Sequence, residues 1–203
     1  MTINTKIKLG AISGTLTAIS FFIAIFSWLL IIADSLSRLT IAGSAGIIHQ
    51  ISLLIACLFG IFYIYGVYCL GSKYENNLLQ LSSIVLMAGL AIIFRYSILL
   101  IIDPKTIMSN FLDMNSGPPK MLILFWGLTV IGTILIGVSL IKLKGQLGSI
   151  AKIARIMGII IGASFLTLFG FFIGIILAFP FFAMLTKLML KASIADVQMN
   201  TLK

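Results

Sequence analysis

The chain has 203 residues, 61% of them hydrophobic and only 9% charged, with 14 Lys and Arg against 5 Asp and Glu. Its mean hydropathy is +1.22, whereas soluble domains carry about a quarter charged residues, so a water-soluble core is excluded. A net charge of +9 would point to nucleic acid in a soluble protein, but here the cations flank apolar segments, where they set topology and face anionic lipid.

Lys6 and Lys8 precede a first apolar span at about 9–33. The apolar region of a cleavable signal peptide is about 7–15 residues long, so this longer run reads as an uncleaved signal anchor. It gives way to a polar stretch holding Asp34 and Arg38. The second span, about 46–70, starts beside His49 and ends at Gly71-Ser72-Lys73-Tyr74-Glu75-Asn76-Asn77, a breaker-rich sequence that predicts a tight turn. Cys57 and Cys69 share this span roughly 18 Å apart along a helix, too far to bridge each other. The third span, about 78–102, stops at Asp103-Pro104 because a residue before proline disfavours helix. The loop beyond it, up to Lys120, contains a short interfacial helix over 107–114 in this reading.

The fourth span, about 121–141, leads into a basic connector with Lys142, Lys144, Lys152 and Arg155. Leu143, Leu147, Ile150 and Ile153 are interleaved with these cations, a pattern suited to lying on an anionic cytoplasmic leaflet. Residues 156–190 as one helix would be about 50 Å long, against a hydrocarbon core of about 30 Å. One long helix gives five spans in total. A hairpin turning near Gly170 and Gly174, with arms at about 155–170 and 174–191, gives six.

The cations favour the hairpin. With the N-terminus inside, Lys6, Lys8, Lys73 and the four connector cations are internal, while Arg38, Lys105 and Lys120 are external. A hairpin adds Lys187, Lys191 and Lys203 to the inside; a single span puts them outside, against the positive-inside rule. The expected fold is therefore an all-α, polytopic transmembrane helix bundle forming a single domain, with six spans and both termini cytoplasmic. An internal echo also runs through it. Gly66-Val67 with Lys73 repeats as Gly137-Val138 with Lys144, and Gly10-x-x-x-Gly14 repeats as Gly158-x-x-x-Gly162, as a duplicated helical hairpin would give.

Few residues offer chemistry. Arg95 stands alone as a Lys or Arg well inside an apolar segment, and an ionisable group at depth is costly enough to be a candidate site. It lies roughly 12 Å below the outer end of its helix, close enough to snorkel. Asp34, Asp103 and His49 belong near the same boundary, so a polar pocket binding an anion is one reading and a structural pair the other. His49 is the single histidine, and metal sites gather three or four ligands, so no metal or cofactor is expected. Hydrolysis within the membrane needs a nucleophile, a base and an orienting group, which this chain does not offer; no catalytic residues are assigned. Gly10 and Gly14, Gly158 and Gly162, and Gly170 and Gly174 are pairs spaced for close helix packing, either within the chain or against another subunit. Tyr68 and Tyr74 suit an interfacial anchor, while Tyr63 and Tyr65 are placed to face other helices.

The segment LKGQLGSIAKIARIMGIIIGASFLTLFGFFIGIILAFPFFAMLTKL, with the opening KLGAISGTLTAISFF and the turn GSKYENNLL, resembles the uncharacterised prokaryotic, mainly archaeal, membrane proteins grouped as domain of unknown function 996. The corresponding residues are Gly145 and Gly148, Gly158 and Gly162, Gly170 or Gly174, and Phe181-Phe182. Pro180 and a connector without an acidic residue depart from that pattern. The resemblance implies a multi-pass membrane fold and no particular activity. The functional expectation is a structural or interaction component of a membrane assembly, packing with itself or with other membrane subunits. The alternative is a small-solute or ion transporter with a polar pocket near Arg95.

Overall fold

In hydrocarbon a backbone must satisfy its own hydrogen bonds, so long apolar runs become helices. The computed structural model describes residues 1–37, 42–102, 120–143 and 147–200. They form α1 (Ile3–Ser37), α2 (Ala42–Lys73), α3 (Asn77–Ile102), α4 (Lys120–Ser139), α5 (Ser149–Ser164) and α6 (Leu168–Asn200), with no strand among the described residues. By length and composition α1, α2, α3 and α6 can each cross a membrane. α4 has a shorter apolar stretch, Ile123–Ser139. α5, at 16 residues, is roughly 24 Å long. The interfacial helix expected at 107–114 lies outside the described residues.

The turn from α2 to α3 shows how tightly the connections are built. Asn76 N–H donates to Gly71 O at 2.8 Å and Glu75 N–H to Ser72 O at 3.3 Å, the paired bonds of a Schellman motif. Its left-handed position, where glycine is usual, is taken by Glu75 with φ of 51°. Asn76 then starts the next helix at once, its side-chain oxygen accepting from Leu79 N–H at 3.2 Å. Its amide nitrogen donates to Ser139 O at 2.9 Å, pinning the turn to the last residue of α4.

The six helices close into a ring in which each packs on its successor and α6 returns to α1. Neighbours run antiparallel: Gly10 meets Gly66 and Ala24 O meets His49 between α1 and α2, while Gly14 meets Thr186 and Phe21 meets Phe179 between α1 and α6. Lys73 Nζ donates to Asn4 Oδ1 at 3.0 Å and to Ala192 O at 2.6 Å. The start of α1 and the late part of α6 are thus held together on one side, the closed end.

Glycine crossings draw that end together. A Cβ on Gly10 would come within 2.6 Å of Gly66 Cα, and one on Gly158 within 3.0 Å of Gly137 Cα. In each crossing the glycine four residues on meets the residue three before the partner glycine, Gly14 on Tyr63 and Gly162 on Ile134. These four glycines are engaged inside the chain. The sequence echo is therefore an echo of packing. Its chain order is reversed, since the paired-glycine helix precedes its partner in α1–α2 and follows it in α4–α5, which a straight hairpin duplication would not give.

Two expectations need correction. The long C-terminal run does fold back, but the break falls at 165–167, not near Gly170 and Gly174. Both glycines lie on α6, and Gly174 makes room for the Phe165 ring, which a Cβ there would approach to 2.8 Å. The basic connector divides its apolar residues: Leu143 and Leu147 are fully buried in the core, where Lys191 Nζ donates to Leu147 O at 3.2 Å, while Ile150 is half-buried and Ile153 exposed. Burial in the bundle removes more apolar surface than a headgroup layer would.

Candidate functional site

Between the helices, beyond the glycine crossings, lies a cavity of about 200 Å³ reached by residues of all six. Its floor is formed by Tyr63, Ile136, Ile161 and Leu185, all essentially inaccessible. The walls toward the far end, among them Phe21, Leu53, Phe125 and Ile175, are half-buried, so the cavity is partly open. On α3 it is faced by Leu86, Leu90 and Ile93, a stripe at helical spacing.

The polar atoms on this surface are turned away from it. Thr17 Oγ1 donates to Ser13 O at 2.8 Å, Thr129 Oγ1 to Phe125 O at 2.9 Å and Thr133 Oγ1 to Thr129 O at 2.7 Å. Tyr63, fully buried, donates its hydroxyl to Phe182 O at 3.1 Å. The remaining lining is hydrocarbon apart from the buried thiol of Cys57. Such a surface has nothing with which to hold a polar solute, and it complements an apolar one.

The residues singled out in the sequence do not converge on this cavity. Arg95 is exposed; two residues past Ile93 it points about 200° away from the stripe that faces inward. His49 is half-buried, and because a carbonyl can only accept, it is Nδ1–H that donates to Ala24 O at 2.8 Å, tying α2 to α1. Asp34 falls in the last turns of α1, but its side chain, like Arg38, Asp103 and Lys144 entirely, lies outside what the structure describes. Among the described residues no three His, Cys, Asp or Glu approach one another as a metal site would require.

The cations mark the closed end. Lys6, Lys8, Lys73, Lys142, Lys152, Arg155 and Lys191 lie at or near the helix ends that meet there, and Lys187 lies further in along α6. Arg155 is half-buried, and its Nε has no partner among the described residues. Tyr63 reaches a neighbouring helix as expected, but Tyr65 is exposed and stacks on Tyr68 with centroids 6.2 Å apart. Tyr63 and Tyr65 are about 200° apart around the helix, so both could not face inward.

Sequence reasoning missed Asn76 and the cavity. Phe125, Thr129, Thr133 and Ile136 do recur at helical spacing along α4, a faint signal within a helix apolar on every side. Together the ring and its apolar helices define the class, a polytopic helical membrane protein. Comparison with known proteins goes no further: no family model, no curated protein and no solved structure matches the chain. The resemblance drawn from the sequence thus rests on the residues quoted for it.

Proposed function

We propose that the protein is a structural or interaction component of a membrane assembly, neither an enzyme nor a conduit for polar solutes, with both termini cytoplasmic. The apolar interior of the ring is the observation that carries this reading: the lining hydroxyls are spent on backbone carbonyls and Arg95 stands outside. Transport folds place polar groups or broken helices near the midplane, while α6 continues through Pro180 as one helix. The cations gathered at the closed end support a cytoplasmic position for it, next to anionic lipid, by the positive-inside rule.

Native mass spectrometry of the protein extracted in mild detergent from its own membrane tests the role. Release together with other subunits, or as a homo-oligomer, is the expected result. Uptake of labelled solutes by proteoliposomes carrying the purified protein would overturn it in favour of a transporter. Labelling of a C-terminal tag from outside intact cells would overturn the orientation.

A further inference from the structure

The exposed faces of the ring carry large apolar side chains such as Phe22, Phe26, Phe62 and Ile176, as a protein bathed in lipid requires. The space inside is of a different kind. A cavity of about 150 Å³ lined by Leu, Ile and Phe stays dry and takes up benzene or xenon, and a buried water needs two to four polar partners. Here the volume is about 200 Å³, and the hydroxyls that could hold water already donate to Ser13 O, Phe125 O, Thr129 O and Phe182 O. Water is therefore a poor occupant.

Size narrows the alternatives. Sites for whole drug-sized ligands run from about 300 to 1,000 Å³, so this cavity accepts part of a molecule, not an entire lipid. It is partly open, and the medium around it consists of hydrocarbon chains. The floor is rigid, because Tyr63 is held by Phe182 O and walled off from the closed end by the Gly10 and Gly66 crossing beneath it. Its aromatic walls, Phe21, Phe125, Phe165 and Phe181, offer broad faces for dispersion contact.

We propose that this central cavity is a binding site for the end of a membrane hydrocarbon chain, acyl or prenyl, held inside the ring by dispersion alone. The site stands whether or not the protein works in a larger assembly.

The test uses the full chain reconstituted in phosphatidylcholine vesicles. In one arm the vesicles carry a phospholipid with a diazirine at the acyl terminus, and in the other a prenol with a diazirine at its far end. Irradiation and peptide mapping are expected to place cross-links on Phe125, Thr129 and Leu185 as well as on outward-facing Ile19 and Ile131. The arm that labels the cavity more strongly identifies the chain. Ala56→Leu and Ala178→Phe, which fill the space from its wall, should abolish the interior cross-links and leave the outer ones. Because either variant can fail to fold, excess n-heptane is also added to the unaltered protein, where it should compete away the interior cross-links only. Cross-links confined to the outer faces in both arms would overturn the proposal, as would interior cross-links that survive both filling and heptane.

Discussion

The two ends of the ring are built on opposite principles. Among the described residues, the twelve largest fully buried side chains, Ile7, Leu70, Leu140 and Leu188 among them, lie at the closed end or on the cavity floor. Toward the open end the wall residues Phe21, Leu53, Phe125 and Ile175 are half-buried around a space. In lipid, apolar side chains gain little by leaving hydrocarbon for one another, so association depends on close fit and on polar bonds. The closed end has both, in its glycine crossings and in Lys73, Asn76 and Lys191. The open end among the described residues has His49 on Ala24 O and Trp126 Nε1–H on Phe165 O at 3.0 Å. Close backbone approach, more than hydrophobicity, is what distinguishes a sealed end from a hollow one here.

Alanine at the crossings should show the contrast most strongly. Gly10→Ala and Gly137→Ala each force a Cβ against backbone atoms, and overpacking of that kind should cost about 3 kcal/mol, read as a lower melting temperature in detergent. Gly127→Ala meets nothing within 4 Å and should leave melting unchanged or raise it slightly, since alanine suits a helix interior better than glycine; equal losses at all three would erase the distinction. Next in size, Leu188→Ala at the closed end should cost about 2 kcal/mol, since the cavity penalty remains even where the transfer from water does not. Leu53→Ala on the cavity wall should cost less than about 1 kcal/mol, because it only enlarges an existing space. Asn76→Ala loses a helix cap and a bond to α4 and should cost about 2 kcal/mol. Asn76→Asp, keeping the cap but losing the donor, should not restore it. In the opposite direction, Glu75→Gly relieves a left-handed residue and should stabilise the protein by about 1 kcal/mol, a gain confined to the closed end.

Much of the architecture was legible because breakers and cations punctuate an otherwise apolar text. The turn at 71–77 and the folding back of the last apolar run both followed from such signals. The position of that second turn did not, since a glycine pair signals freedom without saying whether the chain bends there or a neighbour needs the room. At Gly174 the neighbour is Phe165. The connector was half legible for a related reason: interleaved apolar and basic residues suit a membrane surface and a bundle floor equally, and Leu143 and Leu147 are buried while Ile153 is exposed. The cavity was hidden more deeply. Where a helix is apolar all round, periodicity does not say which side faces inward, so Arg95 drew notice on polarity alone while the threonines of α4 passed as ordinary filling.

Closure of the ring also sets a calendar for assembly. α1 emerges first, and one side of its glycine face can be covered by α2 as soon as that helix is made. The other side, against Thr186 and Met189, waits for α6. Lys73 can reach Asn4 at once, but its second acceptor, Ala192 O, comes only 119 positions later in the chain. Until α6 is made, α1 therefore presents a bare, small-residue flank to lipid or to the insertion machinery.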